Sequence, residues 1–390
     1  MSGGGGKVRY GMVGGGEGAF IGAVHRSAAL LDGVAELVCG AFSSDAEKSR
    51  RSALALGIDA DRAYPDFETM FRAEAALPPE RRMEFVAIVT PNRLHLPVAL
   101  AALRHGFHVL SDKPATATLD ECIALRDAVR ASGLLYGLTH PYAAYPMIEE
   151  ARARVAAGEL GRIRKVVVEY HQGWLAQPIE RSGQKQAEWR TDPKRAGRGG
   201  CIGDIGVHAF QLAEHVTGLR VTRLCAALYR VVEGRALDDD ANVLLEFDNG
   251  AGGLLSASQI AVGEENALTL RVYGDKAGLA WRQEEPNTLW IKHADRPAER
   301  WRTGGTYLGE QAQAAARVPA GHPEGYIEAF ANLYRDFAAQ VRAFAGATPP
   351  CPVRNVVPGI DSALRGMAFI DAAVRASASD AKWHDFPRLD

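Results

Sequence analysis

A glycine-rich segment between a strand pattern and a helix pattern constrains the fold of this chain more than any other feature. The apolar run Val8–Val13 predicts a strand, residues 14–19 read GGGEGA, and a helical pattern follows as far as Leu31. In the pattern G-x-G-x-x-A, Gly14 permits a tight turn, Gly16 lets backbone approach a pyrophosphate, and Ala19 lets the helix pack closely on the strand. Because a helix N-terminus favours negative charge, the segment predicts a dinucleotide-binding site.

Alternating strands and helices indicate that this motif opens a parallel sheet. Helical patterns lie between short apolar runs, one of them after Asp45 in an N-cap position and another over Leu119–Ser132. This alternation is typical of βαβ units. We therefore predict a doubly wound Rossmann domain over residues 7–139, preceded by a flexible glycine-rich tail at residues 1–6. The predicted strands are Val8–Val13, Glu36–Phe42, Phe85–Val89, His108–Ser111 and Leu134–Leu138.

The remainder of the chain, residues 140–390, has a different pattern. Its strand-like segments often alternate in polarity with few helical patterns between them, which favours long antiparallel strands in an open sheet with one covered face. Helices are predicted at about residues 325–344 and 360–376. The chain is therefore α/β, with a C-terminal α+β domain on a large, mostly antiparallel open sheet. Its predicted strands are Ile163–Gln172, Val221–Val232, Ala241–Asp248, Gly252–Ser258, Leu268–Tyr273 and Leu289–Lys292.

Composition and charge argue against several classes of function. Lys and Arg number 45 and Asp and Glu 47, so a formal charge of −2 gives no general attraction to nucleic acid or to an anionic membrane. The sequence contains no apolar run of the roughly 18 residues that a membrane span needs. Its five cysteines form no C-x-x-C pair, which favours a reducing compartment and leaves zinc without an obvious ligand set. We expect a cytoplasmic enzyme without a metal site.

The end of the second predicted strand bears on the choice between NAD and NADP. NAD sites usually place an acidic residue there, whereas this chain has Ser43 and Ser44, followed by Lys48. Small hydroxyls near a cation would accept a 2′-phosphate, which favours NADP. Asp45 is an alternative ribose partner, although helix capping explains it equally well. The sequence therefore leaves the cofactor as NAD or NADP.

Three further segments carry a family resemblance. Residues 89–95 read VTPNRLH, residues 111–114 read SDKP, and residues 199–208 read GGCIGDIGVH. With the glycine loop they resemble the glucose–fructose oxidoreductase, inositol dehydrogenase and rhizopine-catabolism (Gfo/Idh/MocA) family over essentially the whole chain. The family's Glu-Lys-Pro stands here as Asp112-Lys113-Pro114, which keeps the charge and shortens its reach. The resemblance implies that residues 140–390 bind the substrate and mediate assembly into a homodimer or homotetramer.

The resemblance also implies roles for individual residues. Lys113 would bridge the nicotinamide ribose and the reacting hydroxyl, where its ammonium favours the alkoxide as hydride leaves. Trp189 and Arg190 would lie against the nicotinamide side of the cofactor, unless they belong to a loop packed on the sheet. Beyond the residues already named, the implied cofactor contacts are Phe20, Ile21, Thr90, Asn92, His95 and Asp112.

Asp204 and His208 are the candidate groups for proton transfer. Their i, i+4 spacing puts them on one face of a predicted helix, beside its apolar stripe. Histidine exchanges protons near neutral pH, so we assign His208 as general base and Asp204 as its orienter or as acceptor of a substrate hydroxyl, with exchangeable roles. A capping Asp with a structural His is the alternative. Tyr142, after the last predicted Rossmann strand, either contacts the sugar in the crevice between the domains or packs as a hinge.

Two charged segments admit more than one interpretation. Residues 173–200 carry six cationic and three acidic side chains, which suits an anionic sugar but equally a solvated loop. The run Asp238-Asp239-Asp240 joins two predicted strands, and we interpret it as a solvated turn rather than a metal site.

Together these observations predict an NAD(P)-dependent oxidoreductase that transfers hydride between a nicotinamide and a ring hydroxyl of a sugar, inositol, sugar acid or glycoside. One alternative is a glycoside-cleaving enzyme that uses tightly bound NAD for transient sugar oxidation, since it would retain the same Lys113, Asp204 and His208. A second alternative is a non-catalytic, nucleotide-sensing regulator on the same fold, which would have no need of those three residues.

Overall fold

The computed structural model describes residues 6–349, 351–354 and 356–389, and the chain divides into two compact units. The first comprises the described residues up to Thr116 together with Asp120–Pro141 and Tyr326–Leu364. The second comprises Ala117–Leu119, Tyr142–Gly325 and the described residues from Arg365 onward. Of the tail predicted at residues 1–6, all but Gly6 lies outside the described residues.

The first unit is built on a parallel five-stranded sheet in the order β2-β1-β3-β4-β5. This confirms the predicted Rossmann architecture, with β3 and β4 at their predicted bounds and β1, β2 and β5 different only at their ends. Every residue of β3 is buried, as expected for a strand covered on both faces. The strands are β1 (Val8–Gly14), β2 (Ala35–Ala41), β3 (Phe85–Val89), β4 (His108–Ser111) and β5 (Tyr136–Leu138). The helices are α1 (Phe20–Leu31), α2 (Ala46–Ala55), α3 (Phe67–Ala75), α4 (His95–Arg104), α5 (Leu119–Ser132) and α11 (Tyr326–Phe344).

Helix α11 packs on this sheet although it comes late in the chain. Its Tyr334 and Phe337 rings lie 6.3 and 5.2 Å from the ring of Phe85 in β3. From sequence, residues 140–390 are assigned to one second domain, whereas the structure groups Tyr326–Leu364 with the first unit. The physical reason is that a parallel sheet needs apolar cover on both faces, and any amphipathic helix of the chain can supply it.

The second unit contains a nine-stranded sheet in the order β13-β12-β11-β10-β6-β9-β8-β7-β14. Only β6 and β9 pair in parallel among these neighbours, which confirms the predicted mostly antiparallel sheet. Strands β11, β13 and β14 are additions to the predicted set. The strands are β6 (Ile163–His171), β7 (Val221–Tyr229), β8 (Asp240–Phe247), β9 (Gly252–Ser258), β10 (Ala267–Gly274), β11 (Ala277–Arg282), β12 (Thr288–His293), β13 (Glu299–Arg302) and β14 (His384–Asp385).

Helices of the second unit come before β6, between β6 and β7, and between β13 and β14 in the chain. They are α6 (Pro146–Ala156), α7 (Lys185–Arg190), α8 (Pro193–Ala196), α9 (Val207–Thr217), α10 (Glu310–Ala315) and the part of α12 (Ile360–Ser377) from Arg365 onward. A π-helical turn, Ile202–Gly206, leads directly into α9. Within the described ranges, every helix is too short or too polar to span a lipid bilayer.

The two faces of the nine-stranded sheet differ in exposure. Val166, Leu270 and Leu279 belong to its buried side, while the alternate residues form a partly exposed row across the strands. In that row Leu244 is 43% exposed and Trp290 is 39% exposed. The sheet therefore has one covered face and one open face, as the alternating polarity of its strands predicts.

The acidic run between β7 and β8 is not a solvated turn, so that interpretation was wrong. Asp238 and Asp239 are 7% and 2% exposed. Asp238 accepts hydrogen bonds from the backbone N–H groups of Gly200 at 2.6 Å and Ile202 at 2.7 Å, at the start of the π-helical turn. Buried amides need acceptors, and these carboxylates supply them. Burial raises the pKa of Asp238, although the two amides oppose that shift.

A buried histidine joins α1 to α11. His25 is fully buried, with its Nδ1 atom 2.8 Å from the Tyr334 hydroxyl and its ring 5.0 Å from that of Phe330. Its Nε2 atom has no hydrogen-bond partner among the described residues. Burial lowers the pKa of His25 from 6.5 to about 4.

We expect His25 to make the folded protein less stable in mild acid. Its folded pKa lies below its unfolded pKa, so stability is lost as pH falls through the interval from 6.5 to about 4. The loss attributable to this residue is about 3 kcal/mol. Urea unfolding of the His25→Phe variant should therefore show a smaller decrease in the free energy of unfolding between pH 7 and pH 4 than the wild type. The exposed His322→Gln variant serves as control, and equal decreases in the His25→Phe and control proteins would contradict the assignment.

Candidate active site

The glycine loop after β1 is shaped by close contacts that exclude side chains. Gly14 has a φ of +84°, and a Cβ atom there would lie 2.8 Å from the carbonyl oxygen of Val89. A Cβ atom on Gly16 would lie 2.8 Å from the Phe42 carbonyl oxygen and from Ser52 Oγ. The space beside Gly16 is thus filled by Phe42 and Ser52. From sequence, this glycine is explained differently, by the approach of a pyrophosphate to its backbone. Both positions require glycine on geometric grounds.

Gly22, and not Ala19, makes the closest contact between α1 and the loop. A Cβ atom on Gly22 would lie 2.4 Å from the Cα atom of Gly15. Ala19 instead is the N-cap of α1 and provides no side-chain cap, and the first turn contains no acidic residue. Phe20, which is 68% exposed, and Ile21 are the first two residues of the helix. The uncapped positive end of α1, next to a loop of mostly glycine, fits the pyrophosphate of a dinucleotide.

Arg26, in the second turn of α1, holds this loop by a hydrogen bond. Its guanidinium donates to the carbonyl oxygen of Gly15 at 2.6 Å. A groove of about 450 Å³ lies beside it, bordered by the loop, by Phe20 and Ala23 of α1, and by Ser52 and Leu56. The loop backbone is therefore held from both sides, by Arg26 and by Ser52, whose hydroxyl accepts from the Glu17 amide at 3.1 Å.

At the end of β2 the structure accounts for Asp45 by helix capping. Its carboxylate accepts the Lys48 backbone N–H at 2.7 Å, at the start of α2. Ser43 Oγ in turn accepts the Asp45 amide at 3.1 Å, and Ser44 is exposed. Ser43, Ser44 and Lys48 stay predicted cofactor contacts, and Asp45 has the capping role that was its alternative explanation.

The loops after β3 and β4 are tied together by His95. This residue is 1% exposed, with Nδ1 2.7 Å from the carbonyl oxygen of Pro114 and Nε2 2.8 Å from that of Thr90. Because both ring nitrogens face backbone oxygens, His95 positions these loops, and its cofactor contact stays a prediction. Asn92, in the same connection, is 6% exposed. Burial lowers the pKa of His95.

Lys113 follows β4, at the carboxyl edge of the sheet where ligands of such folds bind. Asp112 Oδ1 accepts the Lys113 backbone N–H at 2.9 Å and the Thr139 hydroxyl at 2.8 Å. Lys113 is half-buried, and its peptide bond to Pro114 is cis. The Asp112 carboxylate therefore fixes the backbone that carries Lys113. Asp112 was predicted only as a cofactor contact, so this role is an addition.

In the second unit, Asp204 lies in the π-helical turn and is held by two donors. Arg190 Nε and Gln259 Nε2 donate to its Oδ2 atom at 3.0 and 2.9 Å. Arg190 also donates to Gln186 Oε1 at 2.7 Å and lies 4.2 Å from the ring centre of Trp189. The structure thus gives Arg190 a direct role in holding Asp204, and Trp189 contacts the guanidinium of Arg190. Both stay predicted cofactor contacts. Such π-helical turns often occur at functional sites.

His208 lies one turn further, at the start of α9. It is 6% exposed, and its ring meets that of Tyr142 edge-on, with ring centres 4.9 Å apart at 81°. Tyr142 is 5% exposed, and its hydroxyl is 2.5 Å from that of Tyr170. Burial raises the pKa of Tyr142. The predicted residues Asp204, His208, Tyr142 and Arg190 therefore share one unit, while Lys113 and the residues of the glycine loop share the other.

Several polar residues of the second unit were not predicted from the sequence. Gln259 contacts Asp204, and Tyr170 contacts Tyr142, yet neither lies in a motif. The residue type of a glutamine or tyrosine near a strand end does not reveal which distant residue it will contact, so only the fold identifies these two. Among the described residues, no three His, Cys, Asp or Glu side chains converge in a way that would hold a metal ion.

We expect Gly22→Ala to weaken dinucleotide binding. Alanine normally stabilises a helix, but here its Cβ atom would displace Gly15 and with it the loop backbone. Such overpacking costs about 1–3 kcal/mol, so the dissociation constant measured by fluorescence titration should rise about tenfold or more. The matched control Ser27→Ala, at an exposed position of the same helix, should bind normally. Normal binding by Gly22→Ala would rule out this role of the contact.

Comparison with known proteins identifies two segments of the chain. Residues 8–140 match the model described as oxidoreductase family, NAD-binding Rossmann fold, and residues 148–280 match the GFO/IDH/MocA C-terminal domain. An uncharacterized oxidoreductase, YfiI, of Bacillus subtilis is 32% identical over 382 residues, which are 97% of each chain. A levoglucosan dehydrogenase of Pseudarthrobacter phenanthrenivorans is 27% identical over 78% of this chain and 80% of its own.

Solved structures agree with this assignment. An inositol dehydrogenase homologue from Azotobacter vinelandii, complexed with NAD⁺, is 37% identical with a TM-score of 0.92 and 98% coverage of both chains. Its complex with NADH and myo-inositol gives 35% identity and a TM-score of 0.88, again over 98% of both chains. The glycine loop, the two predicted domain types and these full-length similarities lead to one conclusion: the chain belongs to the Gfo/Idh/MocA family of oxidoreductases, with an NAD-binding Rossmann domain.

Proposed function

We propose that this protein is an NAD(P)-dependent dehydrogenase that oxidises a ring hydroxyl of an uncharged sugar or cyclic polyol. The observation that carries the proposal is the arrangement around Asp204. Two donors, Arg190 and Gln259, hold its carboxylate as an acceptor, one helical turn before the buried His208. A nucleotide-sensing regulator would have no use for such an arrangement.

Each polar residue has a chemical role in this proposal. The nicotinamide, when bound, supplies the hydride acceptor or donor. His208 takes the proton of the reacting hydroxyl, and Asp204 accepts a substrate hydroxyl or orients the imidazole. The Lys113 ammonium stabilises the oxygen as negative charge develops on it. The glycine loop and the N-terminus of α1 hold the pyrophosphate, with Ser43, Ser44 and Lys48 as candidate ribose contacts.

The charges of the second unit favour an uncharged substrate. Of the six cations in residues 173–200, Arg190 is paired with Asp204, and Arg198 with Asp371 at 2.7 Å. Lys185 and Lys194 are exposed. The local positive surplus is thus smaller than the sequence suggests, and a solvated loop explains the remainder. The relatives crystallised with myo-inositol or named for levoglucosan concern uncharged compounds, which supports the same class.

Assembly and location are further parts of the proposal. The open face of the nine-stranded sheet, with Leu244 and Trp290 partly exposed, would be covered in a homodimer or homotetramer. The near-neutral charge and the separate cysteines favour a cytoplasmic protein that binds neither nucleic acid nor membrane.

A substrate panel tests the reaction. Purified protein is mixed with NAD⁺ or NADP⁺ and with inositols, neutral sugars, sugar acids, sugar phosphates and glycosides, and reduced nicotinamide is followed by absorbance. We expect reduction with neutral polyols or sugars, and rates with their anionic analogues at most about a tenth as high, because two of the six cations in residues 173–200 are already paired and two are exposed to solvent. Equal rates with both groups would contradict the charge argument. Release of aglycone without net reduction would instead identify the glycoside-cleaving alternative.

Variants of the proposed catalytic residues test the mechanism. Lys113→Ala and His208→Asn should each reduce kcat by about a hundredfold or more, because oxyanion stabilisation or proton transfer is lost. Their affinity for the dinucleotide, measured by fluorescence titration, should fall far less. The exposed Lys185→Ala variant provides the control. Rates near those of wild type in both catalytic variants would refute the assignment.

A further inference from the structure

The side chain of Asn266, immediately before β10, is the centre of a hydrogen-bond network in the second unit. Its Oδ1 atom accepts from the Tyr170 hydroxyl and from Gln172 Nε2, both at 2.7 Å. Its Nδ2 atom donates to the Tyr142 hydroxyl at 3.3 Å and to Gln283 Oε1 at 3.2 Å. An asparagine side chain has two acceptor lone pairs and two N–H groups. All four hydrogen-bonding positions of Asn266 are therefore used within the protein.

The two tyrosines in this network pack against His208. Their hydroxyls are 2.5 Å apart, and the rings of Tyr142 and Tyr170 lie 4.9 and 6.4 Å from the imidazole. Tyr170 is 2% exposed, Tyr142 5% and His208 6%. In a packed interior of this kind, a shift of either phenol ring moves the ring that it touches. The direction of the imidazole therefore depends on where the two tyrosine hydroxyls are held.

We propose that Asn266 is a positioning residue for His208, acting through Tyr142 and Tyr170. One amide satisfies both phenols and two glutamines at once, which leaves the cluster a single well-bonded arrangement. Loss of that amide releases four polar groups in a partly buried region, and the tyrosines then repack against the imidazole. A displacement of about 1 Å at a reacting group costs up to about a hundredfold in rate. This inference rests on the proposed function, in which His208 takes the hydroxyl proton.

A pair of variants distinguishes positioning from general packing. Asn266→Ala is made in the wild type and in the His208→Asn protein, and kcat is measured with NAD⁺ and the most active substrate of the panel. In the wild type we expect kcat to fall about tenfold to a hundredfold, with the KM for NAD⁺ changed less than about twofold. In the His208→Asn protein the same substitution should change the residual kcat less than about twofold, since the group that it positions is gone.

The controls make each outcome decisive. Asn242→Ala removes an exposed asparagine of the same sheet, bonded to Asp240 and Ser256, and should leave kcat unchanged. Tyr142→Phe keeps the ring against His208 and removes the bonded hydroxyl, so it replaces Asn266→Ala under the same criteria if the latter does not fold. An unchanged kcat in the wild-type background, or equal losses in both backgrounds, would overturn the proposal. A His208→Asn protein with wild-type kcat would refute the proposed function itself.

Discussion

The contact between Gly15 and Gly22 sets how closely α1 lies against the loop after β1, at the carboxyl edge of the parallel sheet. With no side chain at either residue, α1 lies directly against the loop that follows β1, and a single Cβ atom on Gly22 would come within 2.4 Å of Gly15. Arg26 and Ser52 then fix the same loop from two sides. A dinucleotide pyrophosphate needs bare backbone beside a helix N-terminus, and this packing creates it.

Carboxylates that accept backbone N–H groups are the second recurring device. Asp45 caps α2, Asp112 holds the amide of Lys113, and Asp238 holds the amides of Gly200 and Ile202. Asp112 fixes the backbone at Lys113, and Asp238 fixes the backbone just before Asp204. Both Lys113 and Asp204 are proposed catalytic residues. Charge-assisted bonds to backbone orient a loop more firmly than neutral ones, so these two carboxylates fix the backbone that carries the proposed catalytic side chains.

Local sequence patterns predicted the bounds of the strands and helices well, but they predicted poorly which segments pack against one another. The strands β3, β4 and β9 and the helix α5 have their predicted bounds, because buried apolar runs and helix caps are encoded within a few neighbouring residues. The burial of Asp238 and the packing of α11 on the first unit were not predictable in this way. Both depend on which distant segment comes to lie alongside, and hydrophobic periodicity carries no information about that choice.

The sequence by itself determined the glycine loop and the two fold types from residue type and spacing, and the resemblance of its motifs to a known family supplied the candidates Lys113, Asp204 and His208. Tertiary structure alone decided how those candidates are held. It directed Arg190 to Asp204, added Gln259 beside it, and gathered Tyr142, Tyr170 and Asn266 around His208 from separate strands and loops. A catalytic group is recognisable from its own chemistry, whereas its orientation depends on neighbours that only the packed chain brings together.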